Sequence, residues 1–387
     1  MKSRRYQLRK EAVGAALRHP WVFRDHMSSA AEVLADGERL RLVDGHNRIV
    51  GYGFYEATGA IAIRVVRRGQ HPPDAAWLRA QLAAAVARRA PVAGRTDAIR
   101  LVHGESDGLP AVVVDRFADT LVVSSYATGA DGLARYAAGA LCADAEHREI
   151  IGPARHVILR PARLRQSPGE PRVLRGAPPA EVAIHEDGVP FAVDLAAGQK
   201  TGTYLDLRGL RRAVAAAPLA GKRVLNLFAY SGMLGRAAER AGAAQITQVD
   251  QSERALAFAA AHHVDDPARH AFVTADVFAW LPEQTGAPYD LVIVDPPSMT
   301  SKASQVPSVL AAYRKLYRAA AQHVAPGGAL IAACCTSRVE REAFQRTVRD
   351  ALGPDFTLDR EISPEIDHPV GFPQADYLKL AWWTRKG

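Results

Sequence analysis

The sequence predicts an α/β protein. Its C-terminal half reads as a mostly parallel sheet closed by an antiparallel pair, preceded by a β-rich module and a small α+β region. Three observations carry this. From Gly221 onward, short apolar runs alternate with helical stretches, the grammar of a parallel sheet covered on both faces. The last two strand-like runs, Phe356 to Glu361 and Tyr377 to Thr384, have no helix between them and therefore require antiparallel pairing. The first seventy residues instead show the period-two alternation of half-buried strands. A chain of 387 residues with 48 % apolar and 23 % charged residues is globular and too long for one ordinary core.

At the front, Arg39 to Asp44 and Ile61 to Val66 alternate as strands, with Asp44-Gly45 as a turn signal. Trp77 to Arg89 reads as a helix with Leu78, Leu82 and Val86 on one face. Strands at Ala111 to Val114 and Leu121 to Ser125 follow the turn-rich segment Gly104-Glu-Ser-Asp-Gly-Leu-Pro110. Arg160 to Ala180 is rich in Pro and Arg and has no periodicity, which predicts a connector or extended loop. Its arginines (Arg160, Arg163, Arg165, Arg172 and Arg175) either touch RNA or belong to a solvated linker. Beyond Gly221 the expected strands are Arg223 to Phe228, Gln245 to Asp250, Ala271 to Ala275, Tyr289 to Val294 and Ala329 to Cys335. Helices are expected at Met233 to Ala241, stopped by Gly242, and at Glu253 to His262. Such a sheet, with its antiparallel end, fits a class I S-adenosylmethionine-dependent methyltransferase (Rossmann-like) better than a dehydrogenase. The expected division is 1–70, 71–195 and 196–387.

Composition narrows the function classes. No run approaches the roughly 18 apolar residues of a membrane span, and no apolar segment follows the basic N-terminus as in a secretory signal. Three cysteines cannot build a disulfide framework, which predicts a reducing cytoplasm. No CxxC or HExxH spacing occurs, so no metal site is expected. Residues 1–100 hold 18 Lys/Arg against 9 Asp/Glu, an excess of nine that accounts for the whole net charge of +8. A basic module on a near-neutral remainder suggests a polyanionic partner, although a generally basic proteome would produce the same bias.

The first strand of the C-terminal half runs Val224-Leu-Asn-Leu-Phe228 into Ala229-Tyr230-Ser231-Gly232. A glycine at this turn lets the backbone approach a bulky ligand. No GxGxxG and no Walker lysine are present, so a pyrophosphate cradle is disfavoured, whereas S-adenosylmethionine carries no phosphate. Asp250 ends the second strand, where a carboxylate can accept both hydroxyls of a ribose. Asp276 follows the third, placed to meet an adenine amino group, although strand-end aspartates also cap helices. Cofactor candidates are thus Phe228, Tyr230 and Gly232 in the turn, then Asp250 and Asp276, with Gln199 and Lys200 in the loop before the first strand.

The fourth strand ends Val294-Asp295-Pro-Pro297. The prolines cannot continue the strand and fix a rigid turn after a carboxylate, suited to the amino edge of a base; a plain strand terminator is the other reading. The fifth ends Cys334-Cys335-Thr336-Ser337. Cytosine C5 is too weak a nucleophile to take a methyl group unaided, and a thiolate adding to C6 activates it. A cysteine in a strand is also commonly a small core hydrophobe. Of this vicinal pair one side chain is expected to face the sheet packing, because successive residues alternate.

Taken together, these residues resemble the RlmI-type 23S rRNA (cytosine-5)-methyltransferase family over nearly the whole chain. Arg18-His-Pro-Trp-Val-Phe23 is similar to the opening of that family's PUA domain. Gly104 to Pro110 with Val114-Asp-Arg-Phe117 resembles its central domain, and Gly198 to Arg208 resembles the lead-in to its methyltransferase fold. Asn226 to Gly232, Asp295-Pro-Pro297 and Asp367-His-Pro369 complete the set. The resemblance places the family's Ser-Cys-Ser nucleophile motif on Cys334-Cys335-Thr336, making Cys335 the matching nucleophile. Cys334 replaces the usual Ser, and Ser298-Met299 stand where the family often has Lys-Phe. The implied activity is methylation of C5 of a cytosine in large-subunit ribosomal RNA through a covalent Cys–C6 adduct, with catalytic residues Cys335 and Asp295. The alternatives are a base methyltransferase of another specificity, such as guanine, with Cys335 structural, or a non-catalytic RNA-binding protein. The sequence leaves the oligomeric state open, a homodimer included.

Overall fold

The computed structural model describes residues 3–27, 33–162, 170–300 and 302–387; Arg163 and Arg165 lie outside them. The chain forms two compact units, Met1–Leu205 with Ile366–Pro373, and Asp206–Glu365 with Gln374–Gly387.

In the first unit, β1 (Arg4–Gln7), α1 (Lys10–Arg18), β2 (Trp21–Phe23), β3 (Arg39–Val43), β4 (Ile49–Tyr55) and β5 (Ile61–Arg68) form a five-stranded sheet of order β1-β3-β4-β5-β2. Strand β3 obeys the predicted alternation: Leu40 and Leu42 are fully buried while Arg39 and Arg41 face solvent. Strand β4 carries no such signal, because Gly51 and Gly53 interrupt it. A Cβ on Gly53 would lie 2.3 Å from the Arg64 carbonyl oxygen, so the bulged approach to β5 requires glycine.

There follow α2 (Ala75–Ala93), β6 (Ala98–His103), β7 (Val112–Phe117), β8 (Thr120–Ser125), α3 (Asp131–Ala143), α4 (Ala145–Ile151), β9 (His156–Arg160), β10 (Arg172–Arg175), β11 (Glu181–Glu186) and β12 (Val189–Asp194). Strands β6 to β10 make a second sheet of order β10-β9-β8-β7-β6, antiparallel except for β8–β9, where α3 and α4 provide the crossover. Asp74 caps α2 by accepting from the Trp77 N–H at 2.8 Å, and Leu82, Val86 and Arg89 form its buried face. The expected connector at Arg160 to Ala180 is corrected in part: Arg172–Arg175 is an edge strand, exposed on both faces and therefore without alternation. Strands β11 and β12 close on Asp187-Gly188, both at positive φ, the geometry of a two-residue hairpin turn.

Gly104 to Pro110 owes its composition to burial. The Asp107 carboxylate is fully buried and accepts from Arg89 at 2.6 and 2.8 Å, from the His103 N–H at 2.7 Å, and from Arg88. Arg89 also donates to the Asp367 carbonyl at 3.0 Å, and the Asp367 carboxylate accepts from the Arg100 N–H at 3.1 Å. The Asp367-His-Pro segment thus belongs to this polar cluster in the first unit.

The second unit contains α5 (Arg208–Ala215), β13 (Arg223–Leu227), α6 (Met233–Arg240), β14 (Gln245–Asp250), α7 (Glu253–His262), β15 (His270–Thr274), α8 (Val277–Trp280), β16 (Tyr289–Val294), α9 (Val306–Gln322), β17 (Val324–Cys334), α10 (Arg341–Leu352), β18 (Phe356–Glu361) and β19 (Lys379–Arg385). Its sheet has the order β15-β14-β13-β16-β17-β19-β18. The first five strands are parallel, and β19 pairs antiparallel with both β17 and β18, as predicted. The core packs Leu225, Val292 and Leu330 of the central strands against Tyr313 and Tyr317 of α9 and Phe344 of α10. Strand order reverses at β13, so the mouth beside its carboxyl end is where an open α/β sheet holds a ligand.

Candidate functional site

Three strand ends of the second unit meet at that mouth. After β13, Phe228, Tyr230 and Gly232 all have positive φ (60°, 47° and 75°). Glycine is required at 232: a Cβ there would lie 2.6 Å from the Ala259 Cβ of α7. The two strained non-glycine residues are held by neighbours, since the Ala229 N–H donates to the Val249 carbonyl at 3.0 Å and the Tyr230 N–H to the Asp250 carboxylate at 2.9 Å. The other Asp250 oxygen accepts from the Ser252 N–H at 2.8 Å. Asp250 therefore also shapes the loop around the mouth.

The third strand end is joined to the second by the Ala275 N–H, which donates to the Asp250 carbonyl at 3.0 Å. Asp276 is exposed and caps α8, accepting from the Phe278 N–H at 2.9 Å. Phe278 stands edge-to-face with Phe228, ring centroids 5.7 Å apart, and is 39 % exposed, a high value for a phenylalanine. Sequence reasoning missed Phe278; its signal was a large apolar side chain two residues after a strand-end acid. Two carboxylates beside an open aromatic pair repel a pyrophosphate and suit a nucleoside, so the residues present fit S-adenosylmethionine. Gln199 and Lys200 belong to the first unit. There the Lys200 ammonium lies 4.1 Å from the centroid of Tyr204, whose hydroxyl donates to Gln199 Oε1 at 2.5 Å.

The ends of β16 and β17 are stitched together next to each other. The Cys335 thiol donates to the Pro296 carbonyl at 3.7 Å, and the Met299 N–H donates to Thr336 Oγ1 at 3.3 Å. Cys335 and the Asp295-Pro-Pro turn thus share one place, with Cys335 and Asp295 both partly exposed. Cys334 is fully buried in the core with Tyr313 and Tyr317. Burial pushes both phenols well above their ordinary range. Thr336 is buried, its hydroxyl 3.2 Å from that of Tyr313. Met299, at a position where the sequence departs from the RlmI-type pattern, engages Thr336 through its backbone, a contact open to almost any residue.

In the first unit a concavity is lined by Arg4, Arg5 and Arg9 together with Tyr6, Val33 and Leu34. Arg4 is tied to Glu38 at 3.4 Å and Arg5 to Asn47 at 2.7 Å. Among the described residues no helix is long and apolar enough to cross a membrane.

Residues 145–378 match the model of a family of S-adenosylmethionine-dependent methyltransferases, and residues 8–68 match that of a PUA-like domain. A ribosomal RNA large subunit methyltransferase of Deinococcus radiodurans is 35 % identical over 381 residues, covering 94 % of this chain and 93 % of that protein. Ribosomal RNA large subunit methyltransferase I of Klebsiella pneumoniae is 32 % identical over 382 residues, with 94 % and 93 % covered. A SAM-dependent methyltransferase of Streptococcus mutans superposes with a TM-score of 0.83 at 21 % identity, covering 98 % of this chain and all of that one. A methyltransferase complexed with SAH does so with a TM-score of 0.84 at 22 % identity and the same coverage. At these identities the two structures bear on the fold alone.

Proposed function

The chain belongs to the S-adenosylmethionine-dependent methyltransferase family of the ribosomal RNA large subunit methyltransferase I type, and from that membership we propose that it methylates C5 of a cytosine in large-subunit ribosomal RNA. The observation that carries the choice of C5 is the Cys335 thiol set against the Pro296 carbonyl, directly beside Asp295. Cys335, as the thiolate, adds to C6 of the cytosine, which makes C5 a carbon nucleophile. Asp295 holds the N3/N4 edge of the base. Bound S-adenosylmethionine supplies an electrophilic methyl group to C5. A base or water then takes the C5 proton, and the Cys335 sulfur leaves C6 as the ring double bond re-forms. The target base leaves its stack to be reached, at a cost of a few kcal/mol.

Cofactor binding is assigned to the turn Phe228–Gly232 and to Asp250 and Asp276. Asp250→Ala is expected to weaken S-adenosylmethionine by about 1.5–3 kcal/mol, the loss of a charged hydrogen bond. Because the carboxylate also accepts from the Tyr230 and Ser252 amides, Asp250→Asn, which keeps one acceptor oxygen, should fall between the two. Calorimetry showing wild-type affinity in a folded Asp250→Ala variant removes Asp250 from the site.

RNA recognition is assigned to the front of the chain, where the charge excess lies. The outward Arg39 and Arg41 of β3, the arginine-lined concavity and the PUA-like match support this reading. The three free cysteines fit a cytoplasmic setting. The reading is tested by incubating the protein with methyl-labelled S-adenosylmethionine and large-subunit ribosomal RNA, then digesting the RNA to nucleosides. Label in 5-methylcytidine is expected; label in a methylguanosine assigns the chemistry to nitrogen and makes Cys335 structural.

A further inference from the structure

The residue that follows Cys335 is held on every side. Thr336 is fully buried, and its hydroxyl accepts from the Met299 N–H at 3.3 Å. The same oxygen stands 3.2 Å from the Tyr313 hydroxyl of α9. A threonine hydroxyl has one proton to give and two lone pairs, so it can serve both neighbours at once. The Thr336 carbonyl accepts from the Val339 N–H at 3.1 Å and from the Lys379 ammonium at 3.0 Å. The main chain at this point is therefore anchored independently of the hydroxyl.

The side chains of the run alternate. Cys334 lies in the core that contains Tyr313, and Thr336 bonds to that same tyrosine. Cys335, between them, is partly exposed and meets the Pro296 carbonyl at 3.7 Å. A thiol is a weak donor and this contact holds little by itself. Met299 is two residues past Pro297, so the Thr336 hydroxyl joins the loop after β16 to the end of β17. Its other neighbour is rigid: Tyr313 stacks on Tyr317 at 6.0 Å and meets Phe344 edge-to-face at 5.6 Å. A buried hydroxyl is costly unless bonded, and a valine of the same shape would fill the place without that cost. What valine lacks is an acceptor for the Met299 amide.

We infer that Thr336 is a positioning residue for Cys335: its hydroxyl fastens the loop carrying Asp295-Pro-Pro297 to the strand end carrying the thiol. The purpose of this arrangement rests on the proposed nucleophilic role of Cys335. One base has to meet the sulfur at C6 and the Asp295 carboxylate at its N3/N4 edge, so the separation of the two groups must be fixed before the base arrives. A misplacement of about 1 Å at such a site costs about 10²-fold in rate.

The test is Thr336→Val in the full-length protein. The kcat for methyl transfer to large-subunit ribosomal RNA should fall by about 10²-fold, with the KM for S-adenosylmethionine at its wild-type value. The chain has four methionines, so nitrogen-15 methionine labelling gives a simple amide spectrum in which Met299 can be followed. Its amide should exchange with solvent about tenfold faster in Thr336→Val, the loss of one hydrogen bond. Thr336→Ser keeps the hydroxyl and should restore both the rate and the protection. A wild-type kcat in folded Thr336→Val, unchanged Met299 exchange, or an equal loss in Thr336→Ser overturns the inference. So does a KM that rises as kcat falls, which marks a general loss of structure. Should Thr336→Val fail to fold, Thr336→Ala is read in the same way, and a Met299 amide unprotected in the wild type overturns the inference without any variant. A wild-type kcat in Thr336→Val alongside strict dependence of transfer on Cys335 defeats the Thr336 inference alone. Methyl transfer by Cys335→Ala defeats the functional reading, and with it the purpose given to Thr336.

Discussion

Cys335→Ala is expected to lose methyl transfer by about 10³-fold or more, the order of loss when a covalent nucleophile is removed. S-adenosylmethionine affinity should be unchanged, because the thiol attacks the base and not the sulfonium. The neighbouring cysteine provides the contrast. Cys334 is fully buried in the core, with Cys335 beside the Pro296 carbonyl at the strand end. Cys334→Ser should therefore retain most of the activity. Cys334→Ala avoids the hydroxyl and is the cleaner control. Comparable activity losses in Cys334→Ala and Cys335→Ala would mean that the strand end tolerates no change, and the nucleophile assignment would lose its support.

The second large effect concerns stability. Asp107→Ala leaves Arg89, fully buried, without the carboxylate that accepts its two bonds, and removes the acceptor of the His103 amide. Breaking a buried pair by deleting one partner costs about 3–5 kcal/mol, because the remaining charge stays desolvated. In a unit of this size that corresponds to a fall in melting temperature of about 10 °C. Asp74→Ala, which removes the cap of α2, should cost only about 1 kcal/mol. Denaturant unfolding that ranked the two alike would show that water reaches the Arg89 cluster. Arg89→Met with Asp107→Leu should recover much of the loss if the charges themselves are the liability.

The sheet of the second unit was legible because its central strands are buried on both faces and Ser252 and Asp276 cap α7 and α8. Gln245–Asp250, Glu253–His262, Tyr289–Val294 and Phe356–Glu361 lie where their apolar runs and flanking turns put them. The first unit was read less completely, for physical reasons. Strand β4 is bulged at glycines that blur its period, and β10 lies at an edge with both faces wet. The β11–β12 hairpin carried the standard Asp-Gly turn signal at Asp187-Gly188, hidden by the Pro/Arg-rich stretch before it. Arg89 closes the expected helix and is one of the largest fully buried side chains, a fact that depends on Asp107 eighteen residues on. Asp250 and Asp276 were read as ligand groups or as caps, and each is bound to backbone amides of its own loop. Only the folded chain shows Phe278 against Phe228, since residues fifty apart share no local signal.

Covalent catalysis at C5 is tested most directly by trapping. Target RNA carrying 5-fluorocytosine, incubated with the protein and S-adenosylmethionine, should form a stable adduct, because fluorine at C5 cannot leave as a proton and the Cys335–C6 bond then persists. Mass spectrometry should find one protein-bound, methylated nucleotide on the peptide containing Cys335, and none with Cys335→Ala. Turnover of normal RNA with no adduct on the fluorinated substrate, or an adduct that survives Cys335→Ala, would contradict the mechanism.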